Sequence, residues 1–175
     1  MPATQPSALV LRGHPALHAH ADPVKDFLPL LALTQAMRQL METHDGIGIA
    51  APQVGESLRL FLVAKELFPP EVQNKLLSDV FVNAKIVRRS FKRIKDEEGC
   101  LSVPGVYGTV ARPERITMES QTLSGKKFRI AASGLLARVL QHELDHLDGT
   151  LFIDKAVRET LHELLPDGTL QPWNP

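Results

Sequence analysis

The sequence has 175 residues, and its 20 lysines and arginines balance its 20 aspartates and glutamates. This length suits one domain with its own hydrophobic core, and we expect residues 1–175 to form it. A neutral chain has no overall field to attract nucleic acid or an anionic membrane, so neither is expected as a partner. The apolar runs are shorter than the roughly 20 residues that span a bilayer, and no secretory signal is recognisable, so we expect a cytoplasmic protein.

The first half of the chain predicts an arm, a helix and two strands. Residues 1–25 carry four prolines, which favour an irregular arm on the surface. Apolar residues at three- and four-residue steps predict an amphipathic helix over residues 29–44, closed by Asp45-Gly46. Residues 58–64 and 80–87 have the composition of strands.

The second half predicts several strands followed by a helix. Strands are expected near residues 90–95, 106–111, 114–122 and 126–131. The apolar spacing then becomes helical, from a predicted N-cap at Ser133 to a stop at Asp148-Gly149. Residues 151–154 are typical of a short strand and residues 156–165 of a short helix. This order of elements, with no alternation of strands and helices, predicts an α+β fold in which short antiparallel strands pack around the second helix.

The segment HELDH at residues 142–146 carries the strongest chemical signal. Residues four apart on a helix lie on one face, so His142 and His146 can direct their imidazoles at one cation. Glu143 lies at the edge of that face, where its carboxylate can take a proton from a metal-bound water without being a ligand. The motif predicts a metal-dependent hydrolase, with two structural histidines as the alternative.

A catalytic site of this kind needs a third protein ligand, whose identity decides the class of enzyme. Metzincin proteases have a third histidine where this chain has Phe152. A thermolysin-like site would use a glutamate about twenty residues beyond the second histidine, but this chain offers only the nearer Glu159 and Glu163. Cys100 is the remaining strong donor, because a thiolate binds borderline-soft divalent metals well. A buried structural thiol is the alternative role for Cys100.

Other classes of protein compete with a hydrolase of this type. Residues 46–51 match a GxGxxA dinucleotide-binding turn, but a helix ends before them and Pro52 opposes a helix after them. A structural metal site in a binding module would need a fourth ligand, for which His44 and His162 are candidates. Among enzymes, a general metalloprotease is the second choice.

Three segments together resemble the peptide deformylase family in their order and spacing: GIGIAAPQVG at 46–55, EGCLSVPG at 98–105 and QHELDHLDG at 141–149. The resemblance implies an enzyme that removes the N-formyl group from the initiator methionine of newly made polypeptides and releases formate. It also implies one divalent metal ion, bound by Cys100, His142 and His146. Fe2+ is the expected natural ion, with Zn2+, Ni2+ or Co2+ as alternatives, and Glu143 is the catalytic acid and base.

The same matching implies groups that bind the reacting amide. Gln53 and the backbone N–H of Leu101 would bind the oxyanion of the tetrahedral intermediate, where preorganised donors are most effective. Gly46, Ile47 and Gly48 would line the substrate cleft.

Further candidates lie on the helix and in the strand region. Helical spacing places Leu135 and Val139 on the metal-facing side, where they would form an apolar wall for the methionine side chain. Tyr107 stands near the position of an arginine that helps to hold the peptide in many bacterial members of the family. Glu98 is a candidate for the substrate side or for orienting a metal ligand.

The resemblance also bears on ion pairing and partners. In the VARP segment it implies that Arg112 pairs with Asp145. It implies formyl-methionyl nascent peptides as the partners and a place near the ribosome, although a ribosome-contacting C-terminal helix is not expected in the proline-interrupted tail. The chain departs from the family at Pro15-Ala16 and Asn83-Ala84, where Asp after the proline and Asn-Pro are common, and both departures lie outside the three motifs.

Overall fold

The computed structural model describes residues 8–73 and 78–174, and in these ranges it has three α-helices and two antiparallel sheets. The helices are α1 (Leu30–Thr43), α2 (Pro70–Gln73) and α3 (Gly134–Leu147). The strands are β1 (Gly48–Ala50), β2 (Leu60–Val63), β3 (Val80–Arg89), β4 (Arg93–Cys100), β5 (Val103–Pro113), β6 (Arg115–Gln121), β7 (Lys127–Ser133), β8 (His162–Leu164) and β9 (Leu170–Pro172). This arrangement confirms the α+β class. Residues 1–7 of the predicted arm lie outside the described residues.

The first sheet, with strand order β1-β2-β3-β6-β7, is covered on both faces near β2. Alternate residues of a strand point to opposite faces. Phe61 packs with Leu140 of α3 in one hydrophobic cluster, whereas Leu60 and Leu62 pack with Met37 of α1 in another. Strand β2 is therefore apolar at every position rather than at every second one. The sheet fixes α3 in the interior of the protein.

The second sheet, with strand order β4-β5-β8-β9, is built on the hairpin inserted in the chain between β3 and β6. A third hydrophobic cluster, which includes Val106, Phe152 and Leu161, packs against it. Strand β4 is an edge strand, and its last residue is Cys100. The edge of the second sheet thus brings the cysteine to α3.

Helix α3 begins and ends where the sequence predicts. Ser133 is the N-cap residue, although its side chain makes no capping hydrogen bond. At the other end Gly149 has φ of +70°, and a Cβ there would lie 2.9 Å from the carbonyl carbon of His18. Only glycine fits this position without strain. Among the helices described, none has the length and apolar content that a membrane crossing requires.

Two predictions for the C-terminal region are wrong. Residues 151–154 do not form a strand, because the Asp154 carboxylate accepts a hydrogen bond from the Leu151 N–H (2.8 Å) and closes the 3-10 helix Phe152–Asp154. Residues 156–165 do not form a helix. They contain a 3-10 turn at Arg158–Thr160 and then β8, which pairs with β5. Sheet pairing with a distant strand outweighs the weak local helical preference of this segment.

The strand predictions were right in number for the central region but not in length. The predicted strand 90–95 is the eight-residue β4, which runs on into the cysteine motif, and the predicted strand 106–111 is the eleven-residue β5. Strand β1, which forms within the glycine-rich segment, is not predicted from the sequence. Two of the strands, β4 and β5, are therefore longer than the sequence predicts.

Candidate metal centre

Three side chains that could bind a metal converge between β4 and α3. The donor atoms of Cys100, His142 and His146 all lie within 4.8 Å of one another. The Cys100 sulfur is 3.4 Å from Nε2 of His146. A thiolate and two imidazoles suit zinc, iron, cobalt or nickel. The spacing of HELDH on α3 and the end of β4 together produce this set.

A fourth protein ligand is absent from this cluster in the described part of the chain. His44 is exposed, and its Nδ1 lies 2.8 Å from the Leu40 carbonyl oxygen. His162 stacks against Tyr107, with ring centroids 5.9 Å apart. Three ligands with room for a further one are typical of catalytic rather than structural sites.

His142 is oriented by a carboxylate and by an aromatic ring. Its Nδ1 lies 3.0 Å from Oε2 of Glu98, so an N–H there donates to Glu98 and leaves Nε2 available to a metal. The ring of Phe152 stacks against His142 at 6.2 Å between centroids. Phe152, at the position of the third metzincin histidine, thus supports the imidazole by packing.

Glu98 is the centre of a buried ionic network. Its two oxygens accept hydrogen bonds from Arg112 at 2.6 and 2.7 Å, and Oε1 accepts another from Arg138 at 2.6 Å. The remaining arm of Arg112 donates to Asp145 at 2.8 Å, which confirms the predicted pair, and Lys155 also bonds to Asp145. Charges buried in this way are stable only when they are fully paired.

The network sets the charge on the cluster. Burial alone would raise the pKa of Glu98, but hydrogen bonds to Arg112 and His142 hold it well below its usual range. Burial opposes protonation of His142, but hydrogen bonds to Cys100 and Glu98 and the charges of Cys100 and Glu143 prevail and raise the pKa of His142 to about 10. Burial and the neighbouring cations lower the pKa of His146. The site therefore favours a positive charge beside Cys100, which a divalent cation would supply.

Glu143 faces the same space from the next position on α3. It is buried, and its Oε2 has no hydrogen-bond partner among the described residues. Burial raises the pKa of Glu143 to about 7, against the lowering effect of His142 and Arg112. A carboxyl group of this pKa can accept and return a proton near neutral pH.

Gln53 approaches the cluster from the 3-10 turn after β1. Its Oε1 accepts a hydrogen bond from the Ala50 N–H (2.9 Å), which fixes the orientation of the amide. Its Nε2 is then directed at the Cys100 sulfur (3.6 Å) and the Ser102 hydroxyl oxygen (3.4 Å). The amide N–H2 is a donor held at the edge of the metal cluster.

A cavity of about 590 Å³ opens onto the cluster. It is lined by every residue predicted to contact substrate, and Leu135 and Ile47 are partly exposed in it while Val139 is buried. The predicted lining residues are Gly46, Ile47, Gly48, Gln53, Glu98, Leu101, Tyr107, Leu135 and Val139. Most of the wall is apolar, as in small-molecule sites generally.

Arg138 belongs to the same network and is not predicted from the sequence. It is buried and donates to Glu98 and to the carbonyl oxygens of Val110 (3.0 Å) and Ile94 (2.8 Å). It precedes His142 by four residues, so the spacing that identified the histidines also places Arg138 on their face of α3. A cation among the apolar residues of a central helix was the signal that could have found it.

Comparison with known proteins agrees with this geometry. The family model described as Polypeptide deformylase matches residues 6–162. A peptide deformylase of Dictyoglomus thermophilum is 45% identical over 150 residues, which cover 85% of this chain and 92% of that protein. One from Salinibacter ruber is 44% identical over 154 residues, covering 81% and 76%.

Solved structures show the same fold. The crystal structure of a peptide deformylase from Synechococcus elongatus in complex with actinonin superposes with a TM-score of 0.76 at 40% identity, covering 89% of this chain and 81% of the other. A plant peptide deformylase superposes with a TM-score of 0.81 at 36% identity, covering 91% and 85%.

A buried HExxH helix beside a cysteine, under an apolar cavity, defines a metal-dependent amide hydrolase of the α+β class. The chain belongs to the peptide deformylase family. It removes the N-formyl group from the formylmethionine of newly synthesised polypeptides and releases formate. Family and cluster together indicate a single metal ion.

Proposed function

We propose that Cys100, His142 and His146 hold the metal ion and that Fe2+ is the natural ion. The convergence of their donor atoms within 4.8 Å is the observation that carries this assignment. The donor set also accepts Zn2+, Ni2+ and Co2+, so the assignment of iron is tested by metal analysis of protein purified without oxygen. Iron below the content of another metal would contradict it.

Glu143 is the proposed general base and acid. A bound divalent ion lowers the pKa of a water ligand and polarises a carbonyl group. The Glu143 carboxylate, with its unpartnered Oε2 and a pKa near 7, takes the proton from the attacking water and passes it to the departing amine. Its burial keeps bulk water away from the transferred proton.

Gln53 and the backbone N–H of Leu101 are the proposed donors to the oxyanion. The Ala50 N–H holds the Gln53 amide in place before substrate arrives, so little reorganisation is needed when charge develops. We propose that Glu98 does not contact substrate, because it is buried and its hydrogen bonds within the described residues are to Arg112, Arg138 and His142. We assign it to positioning His142.

The methionine side chain is proposed to lie against Ile47, Leu135 and Val139. These residues line the cavity beside His142 and Glu143. Gly46 and Gly48 line the cavity with their backbone, because the space that a side chain would fill there is taken by Leu101 and by Glu143. Tyr107 lies further along, with its ring over Gly99, where a Cβ would be 2.9 Å from the ring. We propose that Tyr107 contacts the residues after methionine.

Formate release from a formyl-Met-Ala-Ser peptide tests these roles. Wild-type protein loaded with Fe2+, Ni2+ or Co2+ is expected to release formate, and Glu143→Ala to lose nearly all of this activity. Glu97→Ala is a matched control, since Glu97 is the exposed neighbour of Glu98. Cleavage of unformylated peptides by the wild type would favour a metalloprotease instead.

Cellular context forms the last part of the proposal. We infer that residues 1–175 act as one catalytic domain in the cytoplasm, close to ribosomes, where formylated nascent chains first appear. The substrate supports this placement, because formylated chains are made on ribosomes. Cys100 supports it as well, because its proposed role as a metal ligand needs a reduced thiol. Co-fractionation of the full chain with translating ribosomes, and its release on puromycin treatment, tests this placement.

A further inference from the structure

The neutral total charge conceals an uneven distribution along the chain. Residues 80–95 contain six lysines and arginines and no aspartate or glutamate. The six are Lys85, Arg88, Arg89, Lys92, Arg93 and Lys95, and all are exposed. The expectation of no nucleic-acid partner rested on the sum over the whole chain, which says nothing about a local surface.

The first sheet continues this positive surface across three strands. Lys85 of β3 lies opposite Glu119 of β6, which lies opposite Arg129 of β7, so all three share the solvent face. The same face carries three more cations. On β6, Arg115, Thr117 and Gln121 lie at alternate positions with Glu119 and so point to its side of the sheet. Arg88 pairs with Thr117 and Lys127 pairs with Gln121, so both are also on this side. Five cations on this face thus surround one carboxylate, Glu119, which is bonded to Lys85 and Arg129. At the adjoining turn Lys92 is paired with a second carboxylate, Glu114 (2.9 Å).

An aromatic side chain stands at the end of this surface. Phe91, in the turn between β3 and β4, has a relative exposure of 104% and is flanked by the cations on both sides. The turn is well defined, since the Ser90 hydroxyl donates to the Lys92 carbonyl (2.9 Å) and accepts from the Arg115 N–H (3.1 Å). Its backbone therefore holds the phenyl ring out in water, where it contributes nothing to the core.

We propose that this surface, made by Lys85, Arg88, Arg115, Lys127 and Arg129 together with the turn at residues 90–93, binds structured RNA through phosphates and an unpaired base stacked on Phe91. Cations spread over a sheet face match a phosphate backbone. An exposed aromatic ring is the usual platform for an unpaired base. An anionic membrane fits less well, because peripheral binding needs a band of buried apolar side chains, and here Phe91 is the one fully exposed aromatic in the described turn.

The position of the surface leaves the catalytic cavity open. Arg93 and Cys100 are at opposite ends of β4, so the turn lies roughly 23 Å along the strand from the metal cluster. RNA bound at the turn does not cover the cavity. The surface would hold the enzyme beside an RNA-rich particle while its active site remains accessible to peptide. The inference does not depend on the proposed roles of the catalytic residues.

Fluorescence anisotropy with a labelled RNA hairpin containing an unpaired loop tests the proposal on the full-length, metal-loaded protein. We expect Arg88→Glu/Arg115→Glu to weaken binding by about tenfold or more and to reduce the slope of log K against log salt by about 2. Lys25→Glu/Lys65→Glu, which makes the same charge change at exposed sites elsewhere, is expected to bind like the wild type.

The aromatic contact is tested separately. Phe91→Ala should weaken binding to the hairpin loop at least about fivefold, whereas Leu28→Ala, at another highly exposed apolar residue, should not. Equal losses in test and control variants, or wild-type affinity in Arg88→Glu/Arg115→Glu, would overturn the proposal. So would binding to vesicles of phosphatidylcholine and phosphatidylglycerol without binding to the hairpin. Formate release from a free peptide should be unchanged in all four variants.

Discussion

Gly48 lies so close to Glu143 that no side chain fits between them. A Cβ at Gly48 would overlap the Glu143 carboxylate, with the carboxyl carbon at 2.9 Å and Cγ at 3.1 Å. Strand β1 thus packs directly against the Glu143 carboxylate, which we propose as the general base, and the missing side chain of Gly48 leaves room for that group. Gly48 does not have a positive φ, so the close approach of Glu143, and not the backbone conformation, explains why a glycine occupies this position.

Gly48→Ala is expected to slow the enzyme, because the added methyl group would displace the Glu143 carboxylate. A displacement of about 1 Å costs roughly 10²-fold in rate, so kcat/KM for a formyl-Met peptide should fall by about that factor. Metal content should be unchanged, because the three atoms nearest to an added Cβ all belong to Glu143 and not to a metal ligand.

A double mutant distinguishes this mechanism from general misfolding. If Gly48→Ala acts through Glu143, then Gly48→Ala/Glu143→Ala should be no slower than Glu143→Ala alone. Additive losses would show that the alanine disturbs something other than the carboxylate.

Glu98→Gln tests the positioning of His142. The amide keeps the shape of Glu98 but removes the charge that Arg112, Arg138 and His142 share. We expect metal affinity to fall about 10- to 100-fold, measured by competition with a chromogenic chelator.

The same substitution should also destabilise the protein. Arg112 and Arg138 would lose a buried partner, at a cost of about 3–5 kcal/mol in the free energy of unfolding, measured in urea. Glu97→Gln, one position earlier and exposed, is the matched control and should change neither property. Unaltered metal affinity in Glu98→Gln would contradict the positioning role.

Gln53→Ala is expected to lower kcat without loss of metal. Removing one preorganised oxyanion donor costs of order 10²-fold or more in kcat. KM should change little, since the donor acts on charge that develops in the transition state. Gln35→Ala, at an exposed glutamine of α1 outside the cavity, serves as the control and should leave kcat unchanged. A rise in KM at constant kcat would assign Gln53 to ground-state binding instead.

Removal of the metal should abolish activity and lower stability together. A ligand present at about 100 times its Kd stabilises the folded state by about 2.7 kcal/mol, so the melting temperature should fall on chelation and recover when Fe2+ or Ni2+ is restored. Cys100→Ser should weaken this recovery, whereas His44→Ala, outside the cluster, should retain it. A melting temperature insensitive to chelator would argue against a metal held by these residues.

The sequence predicted the metal cluster better than its surroundings. His142 and His146 are related by helical geometry, which acts over four residues and needs no knowledge of the fold. Cys100 was suggested by its donor chemistry and by the family motif, and its position beside α3 depends on the pairing of β4 with β5. Local spacing is readable in a sequence, whereas the packing of distant elements is not.

The errors lie where tertiary contacts outweigh local preference. Strand β8 forms only because β5 offers it an edge, and the 3-10 helix Phe152–Asp154 is closed by the side chain of Asp154. Arg138 was overlooked because its carboxylate partner, Glu98, is 40 residues away in the chain. Each case depends on a partner that sequence periodicity cannot identify.

The active site is assembled from segments that are far apart in the chain. Gln53, Cys100 and His146 come from three separate elements, and the N-terminal arm joins them through hydrogen bonds from Val10 to Gln53, from Arg12 to Ser102 and from Ala21 to Leu147. During synthesis the site is therefore incomplete until the end of α3 has left the ribosome. A growing copy of this enzyme therefore cannot act on any formylated chain before that moment, so the substrates present at that stage are processed by copies that have already folded.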